Sequence, residues 1–315
     1  MQELIRTIRI KLNYSQEQLA AALGVSPITI SRWENGKAFP SALAQHQLFD
    51  ICKNANDNLT DYLAEYIAER DRITNTGSSA QESAIDAVFS ASGNTANMMK
   101  FVESTQAINL YHASRSGIVG KLTPSSRSKC DFGRGFYMGT DPLQPLTLIC
   151  NESAPFFYSM ILDTSNLNVL NVDVNLDWAM LIAYYRGYMD EFRESAIYDK
   201  FAHMADDCDV IVGYIADDRM YQVLTDFFEQ RITDTALLGS LSALNLGKQY
   251  VAVSDKACAK ITIVSERKLS ALELMILREK SIIRRRDGLA IADKIVKEHR
   301  RDGRYFDEIL RGETI

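Results

Sequence analysis

Residues with chemical potential cluster around one histidine and one pair of glycines. Leu110-Tyr-His-Ala-Ser114 puts His112 at the end of an apolar run, and Asp131-Phe-Gly-Arg-Gly-Phe-Tyr-Met-Gly-Thr-Asp141 follows a polar loop. Singly, each residue has a plain reading: His112 as a hydrogen-bonded core histidine, Gly133 and Gly135 as turn glycines. Together they outline a nucleotide site. Gly-x-Gly before an aromatic strand lets backbone approach a flat ligand, while Tyr137 offers a ring for stacking and His112 a hold on a sugar hydroxyl.

A second group lies near the N-terminus. Ser15 is suited to cap a helix starting at Gln16, Gly24 ends that helix, and Ser26 caps the next with Pro27 in its first turn. Leu19, Ala20, Leu23, Val25, Ile30 and Trp33 would fix the crossing of the two helices, leaving the polar face of the second free. This segment, SQEQLAAALGVSPITISRWENGKAFP, closely resembles the Cro/repressor (XRE) helix-turn-helix family, over about 70 residues with its flanking helices. The resemblance implies a double-stranded DNA operator as partner, with the second helix in the major groove. Pro27, Ile28, Thr29 and Arg32 would then face the bases, and Gln16, Ser31, Asn35 and Lys37 the backbone. Arg32 is the residue suited to bidentate guanine recognition. One such domain touches few phosphates, so a homodimer on a palindrome is expected, with Tyr62, Leu63, Tyr66 and Ile67 as its interface or as packing within their own domain. A small protein-interaction bundle is the plainer alternative.

The pair His112-Ala-Ser114 and Phe132-Gly-x-Gly-Phe-Tyr137 resembles the ADP-ribosyltransferase fold of the diphtheria-toxin and poly-ADP-ribose-polymerase type. Asp209-Val-Ile-Val-Gly-Tyr-Ile-Ala-Asp-Asp-Arg219 and Lys248-Gln-Tyr-Val-Ala-Val253 resemble more narrowly a bacterial branch catalogued as a domain of unknown function. The resemblance covers residues 108–266 and implies NAD as substrate or ligand. His112 would hold the nicotinamide-side ribose, Ala113 would meet the carboxamide through its backbone with Ser114 alongside, and Tyr137 would stack on nicotinamide beside Gly133 and Gly135. Where the family carries a glutamate this chain has Gln249, whose neutral amide counters a developing positive charge less well. That argues against polymer elongation and leaves single-unit transfer or binding without turnover. Asp131, Asp217 and Asp218 are substitute carboxylates, or turn and cap residues; Arg219 would pair with pyrophosphate, or with one of those aspartates.

Helical periodicity covers residues 3–12, 16–23, 27–34, 42–52 and 59–69, and β-like runs fall at 108–111, 136–138, 156–161, 210–212 and 250–253. The fold class expected is multi-domain: an all-α five-helix helix-turn-helix domain (1–71), a linker (72–106) with a weak helical patch, an α+β ADP-ribosyltransferase-like domain (107–266) and a helical C-terminal extension (267–315). The extension, with two or three helices and the basic Arg284-Arg-Arg286 and Arg300-Arg301, reads as a solvated face or as a surface for a partner protein such as an antitoxin. A net charge of −6 excludes a nucleic-acid coat over the whole surface, although residues 1–56 are locally basic. Five scattered cysteines read as reduced thiols, with no metal-ligand spacing. The apolar stretches fall short of the roughly 20 residues a membrane span needs, and no signal peptide opens the chain, so the cytoplasm is the expected location. The whole-protein readings are a DNA-targeted or self-repressing mono-ADP-ribosyltransferase in the style of a toxin or defence effector, a nucleotide-sensing transcription regulator, and an interaction scaffold.

Overall fold

The computed structural model describes residues 1–55, 59–76, 107–215, 218–243, 247–299 and 302–312. It opens with α1 (Gln2–Lys11), α2 (Gln16–Ala22), α3 (Pro27–Glu34), α4 (Ala42–Ala55) and α5 (Leu59–Thr76). Ser15 caps α2 in a reciprocal box with Gln18, and Ser26 caps α3 ahead of Pro27, so both inner helices start where the sequence places them. Leu4, Ile5 and Ile8 of α1, Leu19 of α2, Ile30 and Trp33 of α3, and Leu48 of α4 share one core.

That core corrects one expectation. Leu63 and Ile67 are fully buried in it and Tyr66 packs against it, because α5 turns its apolar stripe inward; they are not free to form a dimer interface. Tyr62 alone of the four stays exposed, with Lys11 Nζ 4.0 Å above its ring. Helix α5 also runs to Thr76, into the stretch expected to be linker; the rest of that stretch, with its helical patch, lies outside the described residues.

A seven-stranded sheet follows, built from β1 (Ala107–Ser114), β2 (Phe136–Gly139), β3 (Phe156–Asp163), β4 (Val169–Asn171), β5 (Val210–Tyr214), β6 (Lys248–Ala252) and β7 (Ile261–Lys268) in the order β4-β5-β6-β2-β1-β3-β7. Every pair is antiparallel except β4 with β5. The sheet is nearly two sheets. All residues of β1 from Ala107 to Ser114 have partners on β3, whereas β1 meets β2 through Tyr111 and Gly139 alone. Strands β4 and β7, both at edges, have no counterpart among the expected runs.

Helices α6 (Leu143–Leu148), α7 (Leu176–Arg186), α8 (Ala196–Ala202), α9 (Asp218–Phe228), α10 (Asp234–Ala243), α11 (Asp255–Cys258), α12 (Ala271–Glu298) and α13 (Phe306–Leu310), with a short 3-10 helix at Asp190–Phe192, complete the described elements. Trp178 to Ala183 of α7 pack with Phe227, Leu237, Phe306 and the inner residues Ile211 and Val251 on one face. Leu110, Phe136, Met138, Tyr158, Met160, Val210 and Ala252 form the core on the other. At 28 residues, about 40 Å, α12 joins the regions: its first turns share a core with the N-terminal helices and Ala292 joins the core around α7. A capping box of Ser270 with Glu273 starts it, and Gln45 Oε1 of α4 accepts from the Leu272 amide.

Among the described residues, no helix is long and apolar enough to cross a membrane, and no cluster of three or more His, Cys, Asp and Glu side chains is placed to hold a metal. All five cysteines are free; burial pushes the thiols of Cys52 up to about 12 and Cys258 to about 11.

Candidate functional site

The outer surface of α3 is open. Pro27, Ile28 and Arg32 are exposed, Ile28 by 72%, and Asn35 and Lys37 just beyond the helix are exposed too. Thr29 and Ser31 are partly buried, and each is engaged: Thr29 Oγ1 lies 2.9 Å from Ser26 Oγ, and Ser31 offers its carbonyl to Asn35 Nδ2 at 2.7 Å. Behind this face stands an ion cluster. Arg9 Nε donates to Glu34 Oε1 at 2.6 Å and Nη2 to Oε2 at 3.1 Å, while Gln16 Nε2 donates to Glu34 Oε2 at 2.8 Å. Burial alone would raise the Glu34 carboxyl, but the bonds from Arg9 and Gln16 outweigh it and hold it below its usual value. Gln16, expected on a phosphate, thus ties the start of α2 to the end of α3.

The second site sits at the seam between β1 and β2. Two glycines shape its loop. Gly133 has φ +70°, and a Cβ there would stand 2.7 Å from the Tyr185 ring; a Cβ on Gly135 would stand 2.3 Å from Val251 Cγ1. Ser126 braces the loop, accepting from the Gly135 amide at 3.0 Å and donating to the Gly133 carbonyl at 3.3 Å. Tyr137, one strand residue on, sends its hydroxyl back to the Gly133 carbonyl at 2.8 Å and accepts from the Phe132 amide at 3.1 Å. Burial raises that phenol further above its usual value, so it stays protonated.

His112 Nδ1 lies 2.7 Å from the Tyr137 carbonyl, and its ring stacks on Phe136 with centroids 4.4 Å apart. Burial lowers its pKa, which the bond to the carbonyl only partly offsets, so the neutral ring prevails at pH 7. A carbonyl only accepts; Nδ1 therefore carries the proton and Nε2 is left as an acceptor. Ala113 is partly buried, and Ser114 Oγ donates to the Gly117 carbonyl at 3.0 Å.

Gln249, 5% exposed, sits across from Gly139 in the pairing of β2 with β6. Its Nε2 donates to Asp131 Oδ2 at 3.2 Å and to the Tyr214 carbonyl at 3.1 Å. Asp131 Oδ1 takes Arg186 Nη2 at 2.6 Å and Nε at 3.2 Å. The glycine loop, Tyr137, Gln249 and Asp131 therefore gather beside the seam on the face of the α7 core, whereas His112 reaches them through the Tyr137 carbonyl and turns its ring onto Phe136, of the core on the opposite face. Sequence reasoning missed Arg186, Ser126 and Tyr185; Gly187 with φ +85° ends α7 one residue after Arg186, and a basic residue before such a glycine was the available signal. The backbones of Asp218 and Arg219 open α9, their side chains lie outside what is described, and Asp217 lies outside the described residues.

Comparison with known families divides the chain at the same two places. Residues 5–44 match the helix-turn-helix family model, and residues 108–263 match the model of a protein of unknown function family, DUF3990. The chain carries an XRE-type helix-turn-helix region followed by a DUF3990 domain, and its N-terminal region is a sequence-specific DNA-binding one. No curated protein and no solved structure matches.

Proposed function

We propose that this is a DNA-binding protein of the cytoplasm whose DUF3990 domain is an NAD-dependent mono-ADP-ribosyltransferase, acting as a self-regulating toxin or defence effector. The observation that carries the reading is the group formed by the glycine loop, Tyr137, Gln249 and Asp131 beside β1, whose His112 reaches the Tyr137 carbonyl. The residues suit an NAD pocket: Nε2 of a neutral His112 accepts from a ribose hydroxyl, and the backbone of Ala113 meets the carboxamide. In the reaction a nucleophile on the acceptor bonds to the ribose carbon as nicotinamide leaves with the bonding pair, and the nucleophile's proton passes to a base. Asp131 supplies the negative charge that Gln249 lacks, one hydrogen bond from the position the family gives to glutamate. A homodimer on a palindromic operator supplies the phosphate contacts a single α3 cannot, and a neutralising partner protein is the corollary of a toxic activity.

A second reading, a regulator that senses NAD without turnover, is favoured by the Arg186 guanidinium, which balances the charge of Asp131. Labelled NAD incubated with the purified protein and cell lysate separates them, with His112→Ala and Asp131→Asn as controls. Nicotinamide release and label on an acceptor, lost in both variants, is the expected result. Binding without release would establish the sensor instead, and absence of binding would sink both readings.

A further inference from the structure

Two consecutive residues of α5, a helix that shares its core with the helix-turn-helix, reach opposite sides of the seam. Asp71, 4% exposed, takes Arg267 Nε at 2.8 Å on Oδ1 and Nη2 at 2.6 Å on Oδ2. Arg267 lies on β7 opposite Phe157 of β3, with its guanidinium 5.3 Å from that ring's centroid; Phe157 in turn stacks on Tyr111 of β1 at 5.9 Å. This anchor belongs to the half-sheet β1-β3-β7, which carries His112. Arg72 Nη2 instead donates to Asp141 Oδ1 at 2.7 Å. Asp141 lies two residues beyond β2, and the same oxygen accepts from the Leu143 amide that opens α6. That anchor belongs to the half carrying Tyr137 and Gln249.

The strands themselves do little to hold the halves in register, since Tyr111 and Gly139 are their sole bridge. Successive Cα atoms of a helix stand about 3.8 Å apart, so two anchors on residues 71 and 72 fix one half against the other. The helix is itself firmly seated. Arg70 Nη2 meets Glu273 Oε1 at 2.8 Å, and Lys280 Nζ meets Glu65 Oε1 at 2.9 Å, both across to α12. We infer that Asp71 and Arg72 are positioning residues that set the opening between the strand of His112 and the strand of Tyr137, so that ligand affinity at the seam depends on the seating of a helix packed into the core of the helix-turn-helix. The ligand in this inference rests on the NAD reading above; the brace does not.

Arg72→Met in the full chain is the test, because Arg72 is partly exposed and its loss leaves the core intact. Arg72→Lys, which can keep the ion pair, is the rescue. Amide hydrogen exchange and NAD titration calorimetry are the two readouts. Arg72→Met is expected to speed exchange at 111–113 and 137–139 about tenfold relative to β3 and β6, to weaken NAD binding about fivefold, and to be restored by Arg72→Lys. Unchanged exchange at the seam, or acceleration spread evenly over the sheet, overturns the brace. Selective acceleration with unchanged NAD affinity overturns the positioning role. Selective acceleration in a chain that binds no NAD in any form keeps the brace and removes the NAD reading alone.

Discussion

The surface of α3 and the seam between β1 and β2 solve opposite problems with similar residues. On α3 the polar groups that would meet a ligand are displayed, and a salt bridge behind them, Arg9 with Glu34, fixes the angle of display. At the seam the polar groups are turned on one another: Gln249 on Asp131, Asp131 on Arg186, Tyr137 on Gly133. A long, already charged partner such as duplex DNA is met by exposed side chains that need little rearrangement. A small ligand at the seam must instead exchange internal hydrogen bonds for its own, which makes discrimination strong because a wrong ligand leaves buried groups unpaired.

This contrast is sharpest in stability. Replacing Asp131 by Ala removes the carboxylate that takes both the Arg186 guanidinium, 13% exposed, and the Gln249 amide; the expected loss of these charge-assisted hydrogen bonds is about 3–5 kcal/mol in urea unfolding. A loss below 1 kcal/mol would mean the seam is wetter and more open than its geometry implies. The contact between the regions is next in size and is pH-dependent. Burial would raise the Glu273 carboxyl, but the charges of Arg267 and Arg70 dominate and hold it at about 2, against 4.5 for a free glutamate. With the folded value the lower, its stabilisation is complete above about pH 4.5 and is lost as pH falls toward 2, an effect on the order of 3 kcal/mol. Acid unfolding of Glu273→Gln should be flatter than wild type across that window; equal slopes would remove Glu273 from the contact.

The two regions also differed in how far the sequence disclosed them. All five N-terminal helices are legible because their signals are local: Ser15 and Ser26 before their helices, Pro27 in a first turn, apolar residues three and four apart. The seam is non-local. His112 and the glycine loop show as types, but Asp131 and Gln249, 118 positions apart, meet only through the register of β6 on β2. Nothing around Arg186 announced that its partner is Asp131, 55 positions earlier. Edge strand β7 was missed for another reason: Ser265-Glu-Arg-Lys268 is polar, and Arg267 is there for Asp71 of α5, not for a core. The same blindness hid the docking of α5, whose Leu63 and Ile67 read equally well as interface or core until the packing placed them.

Overpacking tests the loop at smaller scale. Gly135→Ala drives a methyl into Val251 and toward the Ala252 carbonyl, so about 1–3 kcal/mol of destabilisation is expected from thermal unfolding. A neutral result would show that β2 and β6 can part at this point, and would place the rigidity of the site in Ser126 and Tyr137.

The exposed face should respond in affinity while stability stays put. Arg32→Ala removes a side chain that meets solvent, so unfolding should move by no more than about 0.5 kcal/mol. Its effect belongs to DNA. In selection from a random duplex library followed by titration, the variant should lose about 1–3 kcal/mol on the preferred site and relax the base preference at a single position per half-site. Arg9→Met offers the complementary outcome, because it touches no base in this reading but frees Glu34 and with it the angle of α3; it should weaken binding across all selected sequences together. If Arg32→Ala instead lowers affinity uniformly, the guanidinium serves the phosphates, and base recognition falls to Pro27, Ile28 and Thr29 at the start of the helix.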